Sequence, residues 1–522
     1  MTSDARTTAD GAATDQGAAA PETEPGTVLE PAPERAAGGG TPAAEVRRTC
    51  AAAGATARAL AEVALSTRAG WLRAIADGID GDVEALAAVA GEETSLPEDR
   101  LTGEVARTTG QLRMFADVLE DGAHVEAVID HADPGATPPR PDVRRMLRPV
   151  GTVAVYAAGN FPFAFSVAGG DTAAALAAGC PVVVKVHPGH PRTSDAVARL
   201  VSDALASAGA PVGAFAHVSG FDAGRDLVSD PAIRAAAFTG SLVGGRALFD
   251  LACGRPDPIP FYGELGSINP VLVLPEAART RPDDIAAGLM GSFTLGVGQF
   301  CTKPGIVLVP EGAGVAAALA ARVADAAGGV MLNESIAARF RDAAAVLAGL
   351  PQLETLATAA AGAGDTVTPT VLRTDVAGLR DAGDAALEEC FGPLCLVVEY
   401  GDGAALAEVV ATLPGSLTAT VHAEPGDRPR ARVLLPRLQD RAGRVIWNGW
   451  PTGVAVTWAM HHGGPWPATT ASLHTSVGAT AIRRFQRPVA YQDVPEDLLP
   501  PELHDANPLH LLRRVDGCLI AG

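Results

Sequence analysis

The run Gly298-Gln299-Phe300-Cys301-Thr302 carries a thiol, and the earlier run Tyr262-Gly263-Glu264-Leu265-Gly266 carries a carboxylate. A thiolate can attack a carbonyl carbon and a carboxylate can activate water afterwards, so the pair points to covalent chemistry on a carbonyl. Asn160, in Asn160-Phe161-Pro162, could give its side-chain amide to an oxyanion, or serve as a turn residue before the proline. The cysteines, at 50, 180, 253, 301, 390, 395 and 518, form no Cys-x-x-Cys pair and have no regular spacing. This argues against a disulfide framework or a zinc site and for a reducing, cytoplasmic setting in which a reactive thiol survives.

A chain of 522 residues exceeds one ordinary core, so at least two domains must position these groups. The net charge of −20 disfavours nucleic acid and anionic membranes as partners, and no apolar stretch is long enough to span a bilayer. No basic segment followed by an apolar core opens the chain, so no secretory signal is expected. Residues 1–43 are rich in Ala, Gly, Pro, Thr and Glu, a composition expected to be disordered. From Glu45 to Leu119 the spacing of Leu60, Trp71, Leu72, Ile75, Ile79 and Leu86 is helical, and the Pro-rich stretch 133–141 reads as a hairpin or crossover. Beyond it, strands near 152–157, 181–186 and 215–218 alternate with helices near 166–178 and 194–208, which predicts an α/β fold with a parallel sheet. The dinucleotide fingerprint Gly-x-Gly-x-x-Gly is absent after the first strand. Phe238-Thr239-Gly240-Ser241 with Gly244-Gly245 instead suits a pyrophosphate at a helix amino terminus, or an ordinary strand-to-helix turn. Lys185 ends the apolar run Val182-Val183-Val184, either to meet an anionic or hydroxyl partner or to reach solvent.

Asn160-Phe161-Pro162, Lys185, Phe238-Thr239-Gly240-Ser241, Glu264-Leu265-Gly266, Gly298-Gln299-Phe300-Cys301 and Glu389-Cys390-Phe391-Gly392-Pro393 occur in one order, and together they resemble the aldehyde dehydrogenase superfamily from about residue 50 to 500. A narrower resemblance, carried by the segments 165–172, 258–260, 294–302 and 448–454, His462-Gly463-Gly464-Pro465 and Thr475-Ser476-Val477-Gly478, is to the 2-ketoglutarate semialdehyde (2,5-dioxovalerate) dehydrogenase branch. The resemblance implies an aldehyde dehydrogenase fold: a Rossmann-like cofactor domain over 44–264 with a hairpin at 123–150 for oligomerisation, a catalytic α/β domain over 265–474, and a carboxyl-terminal arm over 475–522. It implies Cys301 as nucleophile, Asn160 as oxyanion donor and Glu264, with a pKa raised by burial, as hydrolytic base. Lys185, His187, Gly240, Ser241, Glu389 and Phe391 are implied at the cofactor, and no metal.

Where many NAD-linked relatives carry a glutamate three residues after the lysine, this chain has Pro188, so NADP is expected to serve at least as well as NAD. The substrate tunnel is expected to involve Arg113, Phe161 and Trp458. Arg107, on the same helix as Arg113, reads more readily as a solvated charge. Gly159, Lys303, Ala455 and Trp458 depart from the branch pattern, and Lys303, if it faces the site, would favour the Cys301 thiolate. The function implied is oxidation of 2-ketoglutarate semialdehyde to 2-ketoglutarate in a homodimer or homotetramer. A less polar aldehyde, or an idle homologue kept as a binding protein, is the alternative.

Overall fold

The computed structural model describes residues 39–360 and 366–521, and the expectation for residues 1–38 lies outside them. Four helices enter the fold: Ala43–Ala61, Leu65–Asp80, Val83–Thr94 and Glu98–Asp121. The last begins after Pro97 with Glu98 and Asp99 in its first turn, where acidic groups suit the helix dipole, and stops at Gly122, whose φ of 74° closes it. Its inner stripe, including Leu101, Val105, Leu112 and Phe115, is buried in the first hydrophobic core.

That core supports a five-stranded sheet in the order Phe215–Val218, Val182–Lys185, Thr152–Tyr156, Ile233–Thr239, Phe261–Glu264, all parallel. Thr152–Tyr156 is buried throughout and Val182–Lys185 in all but its last residue, as a parallel sheet covered on both faces requires. Thr239 pairs with Glu264, so the Phe238-Thr239-Gly240-Ser241 turn and the carboxylate sit side by side at the carboxyl edge, where ligands of such sheets bind.

A second sheet has seven strands, ordered Glu354–Thr358, Thr370–Asp375, Leu394–Tyr400, Ile306–Pro310, Val271–Val273, Ser416–His422, Ala442–Trp447. It is parallel except for its Glu354–Thr358 edge. Cys301 lies between the helix Pro282–Thr294 and the strand Ile306–Pro310. A third sheet joins Val128–Asp130 and Val143–Pro149 to Gln486–Gln492, Arg513–Val515 and Cys518–Ile520, uniting the hairpin region with the end of the chain. One part of the final segment departs from the linear division. Residues Ala479, Ala481, Ile482 and Phe485 are buried in the first core, because four apolar side chains in seven residues gain more there than on an outlying arm. Among the described residues no helix is long and apolar enough to cross a membrane.

Candidate active site

Three successive residues ahead of Cys301, Gly296, Val297 and Gly298, have φ of 55°, 58° and 69°. For a β-branched valine this backbone costs of order 1–3 kcal/mol and persists only where its surroundings enforce it. A Cβ on Gly298 would stand 2.3 Å from the carbonyl carbon of Gly392, so the loop packs directly on the Glu389–Pro393 segment. Gln299 fixes the next step, donating through Nε2 to the Gly296 carbonyl and accepting from the Leu332 amide. Asn269, fully buried, donates from Nδ2 to the carbonyls of Cys301 (2.8 Å) and Lys303 (3.0 Å) and accepts at Oδ1 from Ser267 and Thr418. It ties Cys301 to the chain that has just left Glu264.

Cys301 is half-buried, and its Sγ lies 3.5 Å from Nε2 of buried His462. The same Nε2 lies 2.9 Å from Oε1 of buried Glu264, whose Oε2 accepts from Ser476 Oγ at 2.5 Å. The sulfur, imidazole and carboxylate atoms are within 4.8 Å of one another, a spacing their own hydrogen bonds account for. His462 Nδ1 is buried without a hydrogen-bond partner, so the cheapest neutral form carries its proton on Nε2 and gives it to Glu264. Burial pushes the Cys301 thiol well above its usual range, and the charge of Glu264 pushes it further. The resting thiol is therefore protonated. Burial alone would raise Glu264, but His462 and the hydrogen bonds from Ser476 and Cys301 outweigh it and hold the carboxyl below its usual range, which corrects the expectation of a raised value.

Asn160 donates from Nδ2 to the Gln299 carbonyl at 3.0 Å, which sets its amide beside the nucleophile loop with a second N–H of the same group to spare. Its own loop is held by buried Glu104, whose Oε1 accepts from the amides of Phe163 and Ala164. Arg100 donates to the Asn160 carbonyl and lies over the rings of Phe161 and Phe300. Phe161 contacts both Phe165 and Phe300 edge-on, at 5.3 and 5.4 Å between centroids.

At the carboxyl edge of the first sheet Ser241 caps the helix Leu242–Cys253, accepting from the Gly244 amide, and Gly240 donates to the Glu264 carbonyl. A Cβ on Gly245 would lie 2.1 Å from Leu265 Cδ2, so only glycine lets this helix pack so close to Glu264. Half-buried Lys185 ends its strand there. His187, stacked on His190, accepts from the Gly189 amide; burial holds it well below its usual range, and the charges of His190, Lys185 and Arg339 add to this. Its ring is neutral, which leaves the positive charge at this corner to Lys185 and Arg339. Half-buried Glu389 sits against Gly266, raised to about 7 by burial, with Lys303 and the Ser267 amide opposing the rise; half-buried Phe391 follows two residues on. The exposed side chains of Phe221, Leu242 and Val243 lie at the starts of the helices Phe221–Ser229 and Leu242–Cys253, which follow strands of this sheet.

The chain matches the family described as "Aldehyde dehydrogenase family" over residues 22–466. It belongs to the aldehyde dehydrogenase family. It is 48% identical over 484 residues to the alpha-ketoglutaric semialdehyde dehydrogenase 2 of Azospirillum brasilense, covering 91% of each chain. It is 45% identical to the alpha-ketoglutaric semialdehyde dehydrogenase of Acinetobacter baylyi, covering 87% of each. Among solved structures, aldehyde dehydrogenase C of Pseudomonas syringae superposes with a TM-score of 0.72 at 22% identity, over 86% of this chain and 89% of that one. A bifunctional proline utilization A protein superposes at 0.74 and 22% identity, and this chain spans 45% of its length. At that identity the two structures speak for the fold.

In this aldehyde dehydrogenase the fold brings Cys301, Glu264 and Asn160 to one place, with Glu389 close enough to Cys301 to raise its thiol. Other expected positions fall elsewhere. Arg113 is bound to Asp77 at 2.6 Å and Asp80 at 2.7 Å with 40% of its side chain exposed, so its guanidinium is spent on the surface. Lys303 is buried and donates to the Leu394 carbonyl; it faces the Glu389 side and not the thiol. Trp458 is 52% exposed. Conversely Arg107, which reads as a solvated charge, turns inward over the Phe165 ring and donates to the Val454 carbonyl. His462, Ser476, Asn269 and Glu104 were not assigned roles from sequence. His462 and Ser476 stand in the very motifs that carried the narrower resemblance, whereas Asn269 and Glu104 gave no chemical signal, since both act on backbone groups that only the folded chain places near them.

Proposed function

We propose that this enzyme oxidises 2-ketoglutarate semialdehyde (2,5-dioxopentanoate) to 2-ketoglutarate with NADP or NAD, NADP serving at least as well. The reading rests on Cys301, His462, Glu264 and Asn160 converging at one point in a chain 48% and 45% identical to two alpha-ketoglutaric semialdehyde dehydrogenases. The residues fit the cofactor. The capped helix start at Ser241 suits a pyrophosphate, Phe221, Leu242 and Val243 offer an apolar surface to adenine, and Glu389 suits a ribose. Pro188 supplies no carboxylate to repel a 2′-phosphate, and Lys185 and Arg339 supply charge to attract one.

The Cys301 thiol releases its proton to solvent, and the thiolate attacks the aldehyde carbon. Asn160 Nδ2 and the Cys301 amide then donate to the oxyanion, a pair in which losing one donor costs about a hundredfold to a thousandfold. NAD(P)+ supplies the hydride acceptor when bound. Loss of hydride from the tetrahedral carbon leaves a thioester on Cys301, and Glu264 takes a proton from the water that hydrolyses it to the free acid.

The aromatic group Phe161, Phe165 and Phe300 favours a second reading, a less polar aldehyde. Reduced-nicotinamide absorbance with an aldehyde panel and both cofactors separates the readings. The highest kcat/KM is expected with 2,5-dioxopentanoate; a higher value with pentanal or octanal selects the second reading, a strong preference for NAD defeats the cofactor assignment, and no turnover at all leaves an idle homologue. All seven cysteines are unpaired, which favours the reducing cytoplasm. Exposed Leu512, Leu519 and Ile520 near the end of the chain favour burial in a homodimer or homotetramer.

A further inference from the structure

Three arginines stand near the site, Arg107 and Arg444 within reach of the Cys301 charge and Arg100 bonded to the Asn160 carbonyl, and they differ in what their guanidinium groups have left to give. Arg444 commits Nη1 to the Gly453 carbonyl and Nη2 to the Pro451 carbonyl and keeps only Nε without a partner. Arg100 gives Nη2 to the Asn160 carbonyl, stacks on two rings and keeps only Nη1. Arg107 commits Nη1 to the Val454 carbonyl at 3.0 Å, while its Nε and Nη2, both shielded from solvent, have no protein acceptor. Those two atoms form one edge of the guanidinium plane, and their N–H bonds run parallel at the spacing of a carboxylate's two oxygens.

Three further observations fix what that edge suits. Arg107 lies close enough to Cys301 and Glu264 for their charges to act on it, so it belongs to the reacting pocket. Its ring contact with Phe165 and its bond to the 450s loop hold the plane in place, so little side-chain freedom remains to be lost on binding. Glu104, three residues earlier on the helix, supports its positive charge through space, yet Glu104 Oε2 is itself unpartnered and leaves the Arg107 edge unused. A shielded guanidinium edge of this kind costs free energy in the fold that an anionic ligand recovers.

We infer that Arg107 is the specificity-determining residue of this enzyme, receiving the carboxylate at the far end of the aldehyde substrate as a two-pronged pair through Nε and Nη2. The inference rests on the substrate class proposed above, since a neutral aldehyde gives that edge nothing to hold. The task it performs is discrimination: a carboxylated aldehyde recovers the desolvation of the guanidinium, whereas an uncharged one of equal length leaves it buried and unpaired.

The test compares wild type, Arg107→Met and Arg107→Lys with 2,5-dioxopentanoate, glutarate semialdehyde and pentanal. The reading is the ratio of kcat/KM for each carboxylated aldehyde to that for pentanal, because loss of the Arg107 charge also raises the Cys301 thiol and slows every substrate alike. Losing a charge-assisted pair of hydrogen bonds predicts that Arg107→Met lowers this ratio about a hundredfold, chiefly through KM, and that Arg107→Lys, which keeps charge without the fork, lowers it about tenfold. An unchanged ratio in Arg107→Met overturns the inference and passes the role to Arg444 or Arg100. Should Arg107→Met fail to fold, Arg107→Lys decides alone, and a wild-type ratio in it overturns the inference. If wild type prefers glutarate semialdehyde to 2,5-dioxopentanoate and the variants lose the preference of both over pentanal, the substrate assignment fails while the role of Arg107 stands.

Discussion

The two walls of the reacting pocket are built on opposite plans. On the wall that carries Cys301, most polar groups are matched inside the protein, His462 Nδ1 and Thr302 Oγ1 excepted: Asn269 binds the carbonyls of Cys301 and Lys303, His462 and Ser476 bind Glu264, and Gln299 secures the turn before them. On the arginine side, Arg100 and Arg107 of the helix Glu98–Asp121 and Arg444 of the strand Ala442–Trp447 each retain donors that the protein does not use. The difference separates two tasks. A nucleophile and its base must hold their geometry through every turnover, whereas recognition needs donors that become satisfied only when the right substrate arrives.

The strongest way to break this division is to disturb the matched wall. Glu264→Gln keeps the shape and removes the carboxylate proposed as the base, and kcat is expected to fall about a thousandfold. One equivalent of reduced nicotinamide should still appear rapidly per active site, because the thioester forms and then waits for water. The charge of Glu264 also raises the thiol, so the variant's Cys301 should react faster with iodoacetamide at neutral pH than wild type does. Lost turnover without a rapid first equivalent would move Glu264 from hydrolysis to acylation.

Next in size is Asn269→Ala, which strips buried groups of Cys301, Lys303, Ser267 and Thr418 of their shared partner. Each unsatisfied group costs about 1–3 kcal/mol, and partial relaxation leaves an expected loss of about 4 kcal/mol in urea unfolding. A loss below about 1 kcal/mol would show that the wall carrying the nucleophile does not depend on this clamp.

How much of this arrangement was legible beforehand follows from where each signal lives. The parallel sheet announced itself through Val182-Val183-Val184 and its neighbours, because strands buried on both faces must be apolar along their length. Cys301, Glu264 and Asn160 stood in motifs whose order carried the family resemblance. Lys303 and Glu104 were harder, since whether a charged side chain turns inward depends on the phase of its element and on what crosses above it. Glu104 has Phe163 and Ala164 amides to meet, and they are 59 and 60 residues away in the chain.

Glu104 also links the two walls, and pH sharpens its part. Burial raises its carboxyl to about 7 against an ordinary 4.5, with the amides of Ala164 and Phe163 and the charges of Arg100 and Arg107 opposing the rise. Folded protein therefore binds the extra proton between these values, and this group's contribution to stability is present at low pH and declines as pH rises through that window. A shift of this size corresponds to about 3 kcal/mol at most. Glu104→Gln should remove that part of the decline between pH 5 and pH 8 in denaturant titrations, and an identical slope in the variant would show that the carboxyl ionises as freely folded as unfolded.

The smallest expected effect comes from the arginine that the comparison leaves outside. Arg107 and Arg113 share one helix, but six residues at about 100° each place them far apart around its axis. Each has two buried and two exposed neighbours one turn away, and what separates them is their partners: the Phe165 ring and the Val454 carbonyl for Arg107, Asp77 and Asp80 for Arg113. Arg113 holds Asp77 and Asp80 in an ion pair with 40% of its side chain exposed, and such pairs contribute about 0–1 kcal/mol that salt screens. Arg113→Ala should therefore change stability by less than about 1 kcal/mol, less still in 1 M salt, and leave the preference for carboxylated aldehydes as it is in wild type. A loss of that preference in Arg113→Ala would erase the distinction between the two faces of the helix and with it the assignment of the substrate wall.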